Sequence, residues 1–261
     1  MRDSIILYLK SLRDEIIKSF ESLENTARFT RKNWNYEKGF GGGEISVLRG
    51  EIFEKAAVNW SGLGGDNFPM KDAKGEFFAT GVSLITHMKN PHAPTVHMNV
   101  RYIETKDSSW FGGGYDLTPM GFPYKEDTEH FHHIAKTALD PHGKELYPQF
   151  RDKAKEYFFI PHRNKERGEG GIFFDHYCTG NFDKDRKMWE NVGSTFLQTI
   201  MPIYKKRIHT EYTEGDLEKQ QMLRAHYVEF NLIYDRGTKF GFESGGNHEA
   251  ILCSLPPSAG W

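Results

Sequence analysis

The stretch Thr95-Val96-His97-Met98-Asn99-Val100-Arg101-Tyr102-Ile103-Glu104-Thr105 decides how the rest of this chain is read. Side chains alternate across an extended strand, so Val96, Met98, Val100 and Tyr102 share one face while His97, Asn99 and Arg101 share the other. The apolar face belongs in a core. The other face either meets solvent or lines a polar site. Residues 227–235 repeat the pattern, with Glu229 and Asn231 alternating with Val228, Phe230 and Leu232, and read as a second strand. A sheet holding both strands would present an acid, a base and two amides on one side.

Working outward, short apolar runs at 45–48 and 77–85 read as further strands, and Gly39-Phe40-Gly41-Gly42-Gly43 as a flexible loop. Ile5, Leu9, Leu12, Ile16, Phe20 and Leu23 recur at steps of three and four, which predicts a long helix within residues 1–30 docked on the core. Helical spacing returns at 126–139, 145–158 and 183–207, the last with Met188, Val192, Phe196 and Ile200 at intervals of four. Strands and helices come in mixed blocks rather than regular alternation. The expected fold is therefore α+β, with a large, mainly antiparallel sheet. No repeat or low-complexity linker divides the chain, so residues 1–261 are expected to form one domain.

The 261 residues are 38% hydrophobic and 27% charged, ordinary values for a globular protein with a sizeable core. A formal net charge of -2 argues against a nucleic-acid or membrane-surface binder, which needs a basic excess. Cys178 and Cys253 lie far apart and outside any zinc or redox spacing, which suits a reducing compartment. Arg2, Asp3, Lys10, Arg13, Asp14 and Glu15 interrupt the apolar residues at the start, unlike a signal peptide. No run approaches the roughly 20 apolar residues of a membrane span. The expectation is a cytoplasmic protein.

Several segments could carry chemistry. Trp110-Phe111-Gly112-Gly113-Gly114-Tyr115-Asp116-Leu117-Thr118-Pro119 holds three consecutive glycines, tolerated where φ is positive or where another group approaches the backbone closely. It lacks the Gly-Lys-Ser/Thr ending of a phosphate loop and the Gly-x-Gly-x-x-Gly of a dinucleotide site. Asp116 reads either as a turn or helix-capping residue or as a carboxylate projected into a cleft. Arg163 and Arg167, beside the glycine-rich 168–171, either grip carboxylates or phosphates in bidentate fashion or pair with Glu166 or Glu169 at the surface. His130 and His133 share a helical face but His132 does not, and zinc-type sites need three or four convergent ligands, so no metal is expected.

Taken together, the segments resemble one family, the oxygen-dependent coproporphyrinogen III oxidases of haem biosynthesis. The matching blocks are Phe53-Glu54-Lys55-Ala56-Ala57-Val58-Asn59, Pro94 to Tyr102, Trp110 to Pro119, His162-Arg163, Arg167-Gly168, and Gly170-Gly171-Ile172-Phe173-Phe174-Asp175. Tyr227 to Thr238 and Ser254-Leu255-Pro256-Pro257 complete the set.

The resemblance implies helices on both faces of a broad antiparallel sheet, a homodimer, and dioxygen as co-substrate with no metal or organic cofactor. The implied reaction turns two propionates of the porphyrinogen into vinyl groups, releasing carbon dioxide and giving protoporphyrinogen IX. The implied catalytic set is Asp116, as a base toward the pyrrole N–H groups, with His97 and Arg101. Arg163, Arg167, Asn99, Gly112, Gly113, Gly114 and Asn247 are assigned to substrate binding. A clamp on the departing carboxylate would stabilise the ground state, so the arginines are expected to hold mainly the propionates that do not react.

Asn247 stands where the family usually has an arginine, His176 where it has a second Asp, His226 where it has an Arg, and Ser109 where Trp is common. A lost arginine contact costs roughly 1.5–3 kcal/mol unless a neighbour compensates. A divergent paralogue that binds tetrapyrrole without oxidising it is the alternative reading.

Overall fold

Antiparallel pairing dominates the structure, a computed structural model that describes residues 2–68 and 75–261. Among the described residues, seven strands form the main sheet in the order β1-β2-β3-β4-β5-β6-β9, so successive strands are neighbours until the last. They are β1 (Thr30–Asn35), β2 (Phe40–Leu48), β3 (Phe53–Gly65), β4 (Phe77–Met88), β5 (Thr95–Thr105), β6 (Ser109–Thr118) and β9 (Gly171–Tyr177). A two-residue ribbon, β7 (Phe159–Ile160) with β8 (Lys165–Glu166), sits between them in sequence. The α+β expectation holds, and β5 has the limits read from its alternation.

One face of the sheet is dry. Val96, Met98, Val100 and Tyr102 of β5 pack with Phe111, Tyr115 and Leu117 of β6 in the main core. Helices α1 (Arg2–Glu21) and α4 (Phe182–Arg207) cover this face, joined toward β9 by α2 (Lys125–Leu139) and α3 (Leu146–Tyr157). Helix α1 docks through Ile5, Leu9, Leu12, Ile16 and Phe20, the stripe expected from the sequence. Complete burial of each is worth about 1.5–3 kcal/mol. Along α4, Met188, Val192, Phe196 and Ile200 do the same, and Asn181 caps its start by accepting from the Lys184 N–H.

The opposite face is roofed by α5 (Glu214–Ile233), α6 (Arg236–Ser244) and α7 (His248–Leu252). Here the sequence reading fails: residues 227–235 are not a strand but the end of α5 and the cap of α6. A capping box between Thr213 and Asp216 starts α5, and its buried residues include Gln220, Arg224, Tyr227 and Asn231, at helical spacing. Leu232 and Ile233 stay about half exposed. Because α5 buries Gln220, Arg224 and Asn231 among Ala225, Tyr227 and Phe230 while Leu232 and Ile233 stay outside, apolar residues alone do not mark its inner stripe, and a period of two appeared by accident.

A second correction concerns the glycine run at 39–43. Rather than a loop, it enters β2, with Gly41, Gly42 and Gly43 paired to Leu63, Gly62 and Ser61. A Cβ on Gly42 would lie 2.0 Å from the Trp34 carbonyl oxygen, so the run permits close strand packing.

The roof is tied down at several points. Asp235 caps α6 and accepts from the Tyr157 hydroxyl at 2.6 Å, while the Tyr36 hydroxyl donates to the Ser244 carbonyl at 2.9 Å. Asn59 of β3 donates to the Ala250 carbonyl of α7. Between these ties lies an open floor: Ser83, in the middle of the central strand β4, is exposed.

Candidate active site

His97 and Asp116 are register partners across β5 and β6 on the roofed face. His97 Nδ1 lies 3.1 Å from Asp116 Oδ1, and the same oxygen accepts from Arg167 Nη2 at 2.7 Å. Thr118, two residues along β6, donates its hydroxyl to Asp116 Oδ2 at 3.1 Å. Asp116 is thus a strand residue aimed at the roof rather than a turn or cap. It is almost wholly enclosed, with 3% of its side chain accessible against 26% for His97.

Arg167 lies just before Gly168 and is as enclosed as Asp116. Its guanidinium sits 4.3, 4.5 and 4.6 Å from the ring centres of Phe158, Tyr227 and Phe230 and donates to Asn231 Oδ1 at 3.0 Å. The aromatic faces favour the cation, and the carboxylate supplies its counter-charge. Burial pushes the Asp116 carboxyl up, but Arg167 and His97 outweigh it and hold the group below its ordinary value. Asp116 is thus ionised, with its Oδ1 shared between the Arg167 guanidinium and the His97 ring.

Arg101 is two alternations from His97 on the same strand face, about 13 Å along the strand. It donates to Asn99 Oδ1 at 2.7 Å and pairs with Asp175 Oδ1 of β9 at 2.8 Å, while remaining 27% exposed. The guanidinium lies across Gly112, where a Cβ would be 2.8–2.9 Å from its Nε, Cζ and Nη2. Gly112 thus admits a flat cation against the backbone, the close approach that one use of a glycine run provides. Gly113 and Gly114 continue β6 opposite Val100 and Asn99.

Two expected binding residues are placed differently. Arg163, in the turn Pro161–Arg163, makes a bidentate pair with Glu229, both contacts 2.6 Å, instead of meeting Glu166 or Glu169. His162 and the Trp261 indole N–H converge on the same carboxylate. Glu229 therefore belongs to a cluster with Arg163 on α5 and not to the sheet face of His97, whereas Asn231 reaches the site through Arg167. Asn247 caps α7, its side-chain oxygen accepting from the Ala250 N–H at 3.1 Å.

Two residues were missed. Ser83 pairs in register with Asn59 and with Asn99, which makes it the middle of a polar row across three strands. Its place on the floor follows from β4's own alternation once β4 is paired to β5. Asp175 closes the block Gly170 to Asp175, and its partnership with Arg101 crosses two strand boundaries, which no local pattern reveals.

The histidine cluster is engaged elsewhere: His130 and His132 meet the carbonyls of Gln198 and Glu169. Among the described residues, no group of three or more His, Cys, Asp or Glu is arranged to hold a metal ion. Nor is any described helix long and apolar enough to cross a membrane.

The family model described as coproporphyrinogen III oxidase matches residues 4–261. A curated protein of Rickettsia bellii (strain OSU 85-389), named oxygen-dependent coproporphyrinogen-III oxidase, is 42% identical over 270 residues, covering 97% of this chain and 96% of that protein. The protein of that name from Rickettsia rickettsii (strain Sheila Smith) is 42% identical over 266 residues, covering 96% and 94%. The polar face of the sheet, with His97, Arg101, Asp116 and Arg167, therefore sits in a chain that belongs to the coproporphyrinogen III oxidase family.

Proposed function

We propose that this chain oxidatively decarboxylates two propionates of coproporphyrinogen III with dioxygen, giving the vinyl groups of protoporphyrinogen IX in haem biosynthesis. The observation that carries the assignment is the open floor around Ser83, bordered on one side by the His97, Asp116 and Arg167 triad and on the other by Arg101.

For each side chain, a propionate and one dioxygen, with one proton, give a vinyl group, carbon dioxide and hydrogen peroxide. A hydrogen and its electron pair leave the β-carbon for oxygen, and the C–CO2 bond electrons form the double bond. The electrons come from the substrate, so the protein's task is to hold the macrocycle and manage protons.

Asp116 is a weak base, being held below its ordinary value and enclosed. We therefore assign the proton-handling step to His97, with Asp116 fixing its ring and Arg167 fixing Asp116. His97 is the partly exposed member of the set, within reach of a bound ring, and in this reading it takes a pyrrole proton and returns one to the reduced oxygen. Arg101, supported by Asn99 and Asp175, grips a propionate that stays intact, because gripping the departing one would oppose loss of its charge. Ser83, Asn59 and Asn99 offer neutral hydrogen-bonding groups under the ring plane.

No metal or organic cofactor is assigned a step. A cytoplasmic homodimer is part of the same proposal, with the half-exposed Leu232 and Ile233 at the end of α5 giving apolar surface to a second copy.

The test is to mix anaerobically prepared coproporphyrinogen III with the protein, admit oxygen, and identify the products by chromatography after oxidation to porphyrins. Protoporphyrin formed with one oxygen consumed per carbon dioxide released is the expected result. Binding without oxygen uptake would identify a tetrapyrrole carrier instead.

A further inference from the structure

Strand β9 carries a β-bulge where it passes Arg101. Gly113 pairs with Phe174 and Phe111 with Tyr177, so Asp175 and His176 together stand opposite the single residue Gly112. A bulge of this kind breaks the two-residue alternation and re-aims a side chain. Gly112 is the residue across which the Arg101 guanidinium lies.

His176 has φ of 51°, in the left-handed region that costs a non-glycine residue energy and persists where the surroundings hold it. Two contacts do so. The imidazole stacks on the Trp110 indole with ring centres 4.8 Å apart and planes 18° from parallel. Its backbone N–H turns back to donate to Asp175 Oδ1 at 3.1 Å. That oxygen is also the partner of Arg101 Nη2 at 2.8 Å, and His176 Nδ1 lies 3.7 Å from it. Arg101 and the His176 backbone N–H thus share one oxygen of Asp175, with the imidazole nearby.

Resting on the assignment of the polar face as the substrate seat, we propose that His176 is a positioning residue for carboxylate recognition: by drawing on Asp175 Oδ1 it loosens that oxygen's hold on Arg101 and leaves the guanidinium available to a substrate propionate. An arginine wholly satisfied by a protein carboxylate must break that pair before it can bind a substrate carboxylate, and the loss appears in affinity. A second donor on the shared oxygen, here the backbone N–H held in place by the ring stacked on Trp110, lowers that cost. Burial raises the Asp175 carboxyl, yet Arg101 and His176 outweigh it and keep it below its ordinary value, consistent with all three groups acting together.

The test is a double-mutant cycle between His176 and Asp175, read as KM and kcat for coproporphyrinogen III and as the Kd of coproporphyrin III measured by fluorescence. His176→Asn keeps a residue that tolerates the left-handed backbone and removes the ring. We expect KM and Kd to rise on the order of tenfold, within the range of coupled neighbours, with kcat nearly unchanged. In an Asp175→Asn background the same change should do little. His176→Gly, which removes the backbone strain as well, should raise KM likewise while Tm stays within a few degrees of wild type. A purely structural role would instead lower Tm and kcat together.

Unchanged KM in both His176 variants of an active enzyme overturns the inference, as does an equal rise in the Asp175→Asn background. A wild-type chain that neither binds nor converts the tetrapyrrole overturns the functional assignment, and the inference with it.

Discussion

Along β5, Val96, Met98 and Val100 are fully buried against the helices of one face, whereas His97, Asn99 and Arg101, each one position further along, remain partly open on the other. The dry face is closed by long helices whose apolar stripes interlock, including Trp189 of α4 against Phe111 of β6, ring centres 5.1 Å apart. The polar face is covered by α5 and by the short α6 and α7, tied at their ends and leaving Ser83 exposed between them. The same strands thus serve two purposes. One face supplies the stability that lets the other keep partly satisfied charges, a glycine floor and an open centre, none of which favours folding.

That division can be broken from either side. The largest effect is expected from His97→Ala, which should lower kcat about 10²–10⁴-fold, the usual range for losing a general acid or base, with Tm close to wild type. Steady-state turnover beside a thermal melt checks both halves, and loss of fold rather than turnover would contradict the division.

Asp116→Asn acts on both function and stability, since it leaves Arg167 enclosed without a counter-ion. Unfolding in urea should show a loss of about 3–5 kcal/mol near neutral pH. Asp116 lies below its ordinary value of 3.8 in the folded protein, so its contribution is complete above the ordinary carboxylate range and is lost as pH falls through the folded value. The stability gap between wild type and variant should therefore be constant above about pH 5 and narrow in acid. A gap that widened in acid would contradict this sign.

On the dry face, Trp189→Ala should cost about 3–5 kcal/mol from the cavity it leaves, with kcat per folded molecule unchanged. A change in kcat at temperatures where the variant is fully folded would show that the two faces are coupled. Gly112→Ala is the smallest perturbation: one methyl group driven against the Arg101 guanidinium should raise KM on the order of tenfold with little change in kcat.

How much of this could be read beforehand follows from the range of the interactions. The alternation of β5 and the stripes of α1 and α4 are local patterns, and each emerged at or near its observed limits. Residues 227–235, the end of α5 and the cap of α6, read as a strand because the buried face of the helix mixes Gln220, Arg224 and Asn231 with Tyr227 and Phe230, which blurs the usual apolar signal. His97 and Asp116 were picked out as chemistry, but their contact depends on the β5–β6 register, which the sequence alone does not reveal. Arg163 and Arg167 looked equivalent at a spacing of four. One pairs with Glu229 and the other with Asp116, because the turn Pro161–Arg163 and the β7–β8 ribbon send them to different neighbours. Ser83 and Asp175 stayed hidden for the same reason, since a serine or aspartate gains its role from side chains on other strands.

The most direct test of the polar face as the substrate seat is the affinity of Ser83→Trp for coproporphyrin III, measured by fluorescence titration beside a thermal melt. Ser83 is exposed, so an indole there occupies the floor without displacing core side chains. The expected result is a loss of at least about a hundredfold in affinity, since a filled site forfeits several favourable contacts, with Tm within a few degrees of wild type. Wild-type affinity in a folded Ser83→Trp variant would place the tetrapyrrole elsewhere and contradict the account.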